Sequence, residues 1–180
     1  DHDFGPNDCD GAHPFAEEAL EAFRDFWPNP SYGEAHTKGI FTSFVIGPVE
    51  VFLLDGRYHA RQAEGTMLGR RQFAWLCHRL ETSPSRYKLL ASGSPFERVK
   101  IDCWAGEPFI RERDELFAFI RRRGITGVLA ISGDIHRSDV HRIPIGDGRC
   151  LYDFTAGALA RDHTPPPAPA ERPPTMLHSH

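Results

Sequence analysis

The sequence predicts an α/β sandwich, and three observations carry that prediction. Apolar runs of strand length alternate with segments of helical period in the order β-β-α-β-α-β-β(β). Two of the runs end abruptly in polar residues, VEVFLLD before Gly56-Arg57-Tyr58 and GVLAIS before Gly133-Asp134-Ile135-His136. Ligand-like side chains at strand ends are typical of layered α/β folds. Finally, the 180 residues, 40% hydrophobic and 26% charged, suffice for one sizeable core and are ordinary for a globular domain.

The elements follow in order. Residues 1–11, DHDFGPNDCDG, are too rich in Asp, Asn, Gly and Pro for regular structure. Pro14 opens a helix whose apolar face is read as Phe15, Ala19, Ala22, Phe23 and Phe26, and Pro28 and Pro30 end it. Strands over 39–46 and 49–54 meet at Gly47-Pro48, which predicts an antiparallel hairpin. A helical pattern over 68–80 stops at Ser83-Pro84, and a short strand over 87–92 stops at Gly93-Ser94-Pro95. Residues 97–108 read as a loop carrying Asp102, Trp104 and Gly106. Trp104 is best read as a packing residue, although its loop could wall the cleft. An amphipathic helix over 111–123 ends at Gly124. The central strand, Val128 to Ile131, precedes strands over 139–143 and 151–155. From Thr164 the tail TPPPAPAERPPTMLHSH is proline-rich and reads as extended or disordered. The division is therefore a domain over 1–160 and a tail over 161–180.

Composition excludes several functions. A net charge of -4 offers no electrostatic signature for nucleic acid, and Arg121-Arg122-Arg123 reads as a solvated helix end that complements the macrodipole. No apolar run approaches the roughly 18 residues of a membrane span, and no signal peptide is present. The chain opens on Asp-His-Asp with no element to position it, so it reads as the interior of a longer protein. The four cysteines are widely spaced without a CxxC pair, which argues against a zinc ribbon. Oligomeric state is not legible.

Two polar clusters can carry chemistry: Asp1, His2 and Asp3 with Asn7 and Asp8, and Asp134 with His136. Carboxylate, amide and imidazole suit hard or borderline divalent ions and Fe(III). The strand before Asp134 fixes the backbone, Gly133 lets it turn, and the i, i+2 spacing lets both side chains converge. On these motifs alone, Asp134 capping a turn and the front cluster being an acidic surface loop stand as alternatives.

The blocks DHDFGPND (1–8), VFLLDGRYHAR (51–61), MLGRRQFAWL (67–76), KLLASGSPF (88–96) and GVLAISGDIHRSDV (127–140) together resemble the PhoD-like alkaline phosphatases of the calcineurin-type metallophosphoesterase superfamily. The resemblance implies a partial four-layer α/β/β/α metallophosphatase sandwich, the C-terminal half of that fold. It implies metal-dependent hydrolysis of phosphate mono- or diesters. Asp1 stands where the family has a metal-ligand Asn, His2 where it has its catalytic His, and Asp134 and His136 at the closing metal motif. Asn7 is a further ligand or phosphate contact by the same match, and Arg57 is a phosphate contact or a structural ion pair. The implied metals are calcium with iron, with zinc or manganese used more widely in the superfamily. The implied location is periplasmic or secreted. The family's first two metal motifs precede Asp-His-Asp and are not in these 180 residues, so the chain alone is expected to be inactive. A non-catalytic remnant acting as a binding or structural module, and a mononuclear metal-binding protein, are the alternatives.

Overall fold

The computed structural model describes residues 2–97, 99–159 and 162–180. Among the described residues, three α-helices, α1 (Ala16–Phe26), α2 (Gly69–Thr82) and α3 (Ile110–Arg122), accompany one sheet of seven strands. The strands are β1 (Thr42–Ile46), β2 (Val49–Leu53), β3 (Tyr87–Ala91), β4 (Val128–Ser132), β5 (Asp139–Gly146), β6 (Arg149–Thr155) and β7 (Met176–Ser179). Their order is β1-β2-β3-β4-β6-β5-β7. The pairs β2–β3, β3–β4 and β4–β6 are parallel; α2 and α3 supply the crossovers that the first two pairings need. The outer pairs are antiparallel. The expected hairpin is present: Ile46 pairs with Val49 across Gly47-Pro48, with Gly47 at φ 55°.

Register explains the core. Phe52, Leu90, Ala130, Asp153 and His141 are successive cross-strand partners, and every one is fully buried. Leu76 and Leu80 of α2 and Leu116, Phe117 and Ile120 of α3 join Phe52, Leu90 and Ala130 in one hydrophobic cluster. The neighbouring row points to the opposite face, since strand side chains alternate. It runs Leu53, Ala91, Ile131, Phe154, and Ile131 and Phe154 are exposed. One face of the sheet is thus sealed by two helices while the other is apolar and open.

Three expectations change. The face read for α1 is only partly its buried face: Ala19 and Phe23 are half-buried beside the buried Ala16 and Leu20, whereas Phe15, Ala22 and Phe26 are exposed. Helical period fixes which residues share a face but not which face meets the protein. The tail is not loose throughout. Met176–Ser179 forms β7 on the edge of β5, because the edge strand offers unpaired backbone groups that a chain passing alongside can satisfy. Trp104 packs as expected: it is fully buried, stacks on Phe96 and donates to Ser92 Oγ at 2.9 Å, so it does not wall the cleft. Gly133 is not the residue that turns the chain after β4, since Asp134 and His136 adopt the left-handed conformation instead.

The Leu68-Gly69 to Gln72 block has a packing explanation. Leu68 and Gln72 are fully buried. Gly69 starts α2 at φ 68°, where a Cβ would meet His59 Cβ at 2.9 Å, so only glycine fits. Gln72 Oε1 accepts from the Asp55 N–H and its Nε2 donates to the Asp55 carbonyl, both at 2.8 Å. That pair of bonds pins the end of β2 to the helix. Replacing Gln72 with Leu leaves both buried groups of Asp55 unpaired and is expected to cost about 2–5 kcal/mol in urea unfolding. A loss below about 1 kcal/mol would contradict the assignment.

Candidate functional site

Parallel pairing delivers the chain exits of β2, β3 and β4 to one edge of the sheet. After β2, the buried Asp55 carboxylate organises the turn: Oδ1 accepts from the Arg57 and Tyr58 N–H groups at 3.0 and 2.9 Å, and Oδ2 accepts from the Ile40 N–H at 3.0 Å. After β3 come Ser92 to Ser94 and the loop carrying Lys100 and Asp102. After β4 come Gly133, Asp134 and His136. The front loop, residues 2–11, folds against these exits; for example, the Gly11 N–H donates to the Ala60 carbonyl and Gln62 Nε2 to the Asp8 carbonyl.

Between them lies a cavity of about 480 Å³. His2, Arg57, Asp134 and His136, drawn from three distant blocks, all line it. His2 is exposed, while Asp134 and His136 are half-buried. Asn7 is exposed and is not among the lining residues. Asp1 lies outside the described residues. Tyr58 closes one side, and its hydroxyl hydrogen-bonds to Glu17 of α1. Burial, reinforced by that carboxylate, pushes the phenol up to about 12.

The site contains charges that sequence reading passed over. Arg57 Nη2 contacts Asp102 Oδ2 at 2.5 Å and Ser94 Oγ at 3.4 Å, and Nη1 donates to the Cys9 carbonyl at 3.1 Å. The Asp102 side chain is fully buried. Lys100 Nζ sits 2.9 Å from Asp8 Oδ1, 2.9 Å from Asp134 Oδ2 and 3.3 Å from Asp102 Oδ1. Burial opposes the Lys100 charge, but the Asp8 and Asp134 carboxylates outweigh it and hold the ammonium above the ordinary lysine range. Asp102 was visible only as an acid in a loop; nothing in local spacing tied it to Arg57 or Lys100. Gly106 shapes that loop, because a Cβ there would lie 1.9 Å from the Ile101 carbonyl oxygen.

Backbone strain gathers at the same place. Among the described residues, the non-glycine positions with positive φ are Asp8, Asp134, His136 and Asp147, and the first three belong to the site loops. Left-handed backbone costs a non-glycine residue about 1 kcal/mol or more, so surrounding bonds must hold it. The tail supplies some of them. The Thr164 N–H donates to the His136 carbonyl, and Ser138 and His180 exchange both backbone bonds at 2.9 Å. Asp153 supplies others: its carboxylate accepts from the Phe96 N–H and Ser132 Oγ, both at 2.8 Å, at the roots of two site loops.

The donor set is oxygen-rich, as hard cations prefer. Yet among the described residues no three His, Cys, Asp or Glu side chains are arranged to hold an ion. The acids that do converge, Asp8, Asp102 and Asp134, converge on a lysine ammonium. The described residues therefore do not by themselves fit the metal centre that the sequence resemblance implies.

A family model described as PhoD-like phosphatase matches residues 5–171. Alkaline phosphatase D of Bacillus subtilis (strain 168) is 31% identical over 91 residues, covering 44% of this chain and 15% of that protein. A solved structure titled "Structure of PhoD" superposes with a TM-score of 0.71 at 17% identity, covering 88% of this chain and 38% of the other. This likeness shows a shared fold. The chain thus spans well under half the length of either relative. No helix among the described residues is long and apolar enough to cross a membrane.

Asp153 gives a pH prediction. Burial raises its carboxyl above the usual range, against the bonds from Phe96 and Ser132. The folded state therefore binds this proton more tightly than the unfolded chain. The resulting stabilisation is full below about pH 4 and is lost as pH rises through the raised value. Asp153→Asn removes this dependence, so melting temperature of the variant relative to the unmutated protein should climb as pH is raised from about 4 to 7. A difference that stays constant with pH would refute it.

Proposed function

Because this chain belongs to the PhoD-like phosphatase family, we propose that the cavity at the strand ends hydrolyses phosphate esters, monoesters or diesters. The observation that carries this reading is the convergence of His2, Arg57, Asp134 and His136 on one cavity. His2 is solvent-accessible and lines the cavity, as a residue that protonates a departing alkoxide must. In the reaction the P–O ester bond breaks, water supplies the oxygen that stays on phosphorus, and the imidazolium proton goes to the leaving oxygen. Arg57 places positive charge beside the cavity. Its guanidinium is held by Asp102, so it contributes a fixed electrostatic field more than a mobile grip.

Asp134 and His136, with Asp1 and Asn7 from the front block, are proposed metal donors, calcium with iron being the pair the resemblance implies and zinc or manganese the substitutes. Further donors have to come from elsewhere in a longer protein, since the described residues do not complete a shell. The open apolar row of Leu53, Ala91, Ile131 and Phe154 supports the same reading. It borders a second cavity of about 750 Å³ and suits coverage by a second sheet, face to face.

A second reading, a non-catalytic module, draws on the Lys100 ammonium lying among the acids. The two readings separate in the full-length protein. His2→Ala and Asp134→Ala are each expected to lower p-nitrophenyl phosphate hydrolysis by about 100-fold or more, and chelation should abolish it. The 180-residue chain alone should show essentially none. Unchanged hydrolysis in both variants would remove these residues from the mechanism and leave the module reading.

A further inference from the structure

The lining of the strand-end cavity is of two kinds. Besides His2, Arg57, Asp134 and His136 it includes Phe4, Leu20, Phe23, Ile40 and Leu54. Leu20 and Leu54 are buried, and Phe4, Phe23 and Ile40 are half-buried. Ala19, Leu20 and Phe23 share one face of α1, since positions one and four apart lie close on a helix. Phe23, Ile40 and Leu54 also line the second cavity, whereas His2, Arg57, Asp134 and His136 line only the first. The apolar lining therefore stands toward the second cavity, with the reactive side chains opposite. The polar groups that join the lining are already engaged. The buried Asp55 carboxylate takes the Ile40, Arg57 and Tyr58 N–H groups, the Tyr58 hydroxyl is bonded to Glu17, and Ser94 Oγ to Arg57.

We propose that this cavity selects phosphate esters whose organic group is apolar, seating that group against Leu20, Phe23 and Ile40 while the phosphoryl group lies toward His2 and Arg57. The inference rests on the hydrolase reading and names the substrate class of that same site. Size allows it: at about 480 Å³ the cavity falls in the range of about 300–1,000 Å³ that buries a drug-sized ligand, which leaves room beyond a phosphoryl group. Chemistry gives the preference its sign. A hydroxylated group seated on the α1 side gives up its water and finds no uncommitted partner among Asp55, Tyr58 and Ser94, which is unfavourable. An apolar group gains about fourfold in affinity for each methylene it buries. Phe23 stands where the two cavities meet, so it is the specificity-determining side chain of the apolar wall.

The test measures inhibition of p-nitrophenyl phosphate hydrolysis by the full-length protein with methyl-, propyl- and hexylphosphonate, which carry no ester bond to break. Hexylphosphonate is expected to inhibit at least about tenfold more tightly than methylphosphonate. Propylphosphonate should likewise inhibit more tightly than 2,3-dihydroxypropylphosphonate, which has the same chain length with two hydroxyls added. Phe23→Ala should cut the hexyl-to-methyl ratio at least about threefold, and Phe23→Leu should restore most of it. Ala19→Phe, which fills the space instead of opening it, should lower the same ratio and serves if Phe23→Ala does not fold. Equal inhibition by the methyl and hexyl compounds, tighter inhibition by the dihydroxypropyl compound, or a ratio that neither variant moves overturns the preference and leaves the hydrolase reading intact. Absence of p-nitrophenyl phosphate hydrolysis in the unmutated protein overturns both.

Discussion

Everything that positions the site depends on the parallel register of β2, β3, β4 and β6. Parallel strands in register must end at the same edge. Residues with no sequence proximity, Asp55 to Tyr58, Ser92 to Asp102 and Gly133 to His136, therefore leave the sheet side by side. The helices that make parallel pairing possible also seal one face. Their burial supplies most of the stabilisation, at about 25 cal/mol per Å² of apolar surface. That surplus is what lets the edge tolerate buried carboxylates and left-handed backbone, neither of which is favourable in isolation.

Polar groups in the core serve the same edge. Asp153 and His141 are fully buried partners in the central row, where Phe52 and Leu90 are the apolar equivalents. An acid there is costly unless it accepts bonds, and Asp153 accepts them from the two segments that carry site loops. Beside it, His141 faces Asp139 at 3.7 Å and Thr175 at 3.3 Å, so the tail is tied to the same polar seam. Asp139 in turn takes Arg137 at 2.9 Å, one residue beyond His136.

Much of this was legible in the residues. The strand and helix order, the Gly47-Pro48 hairpin and the exits at Asp55 and Asp134 followed from periodicity and turn chemistry, which act locally. The pairing of the front block with SGDIH followed from resemblance, and the cavity gathers residues of both. Lys100 and Asp102 were not legible, because an ion pair between a loop lysine and acids from three segments leaves no periodic trace. The strand in the tail was hidden for a related reason. Its four residues, Met-Leu-His-Ser, carry little apolar signal, and it pairs through backbone bonds that any residue but proline can make. The partly misread face of α1 shows the same limit: amphipathicity is local, and the choice of what to bury belongs to the whole fold.

The left-handed backbone at Asp8, Asp134 and His136 has a consequence for how these loops can change. A replacement there passes two independent filters, one steric and one chemical. Glycine and asparagine satisfy the backbone, but glycine offers no donor atom and asparagine no charge. Glutamate keeps the charge but loses the short side chain that makes positive φ tolerable. β-branched residues fail both. The site loops are therefore narrow in sequence space even though their side chains are only half-buried, and a single step rarely leads from one workable residue to another.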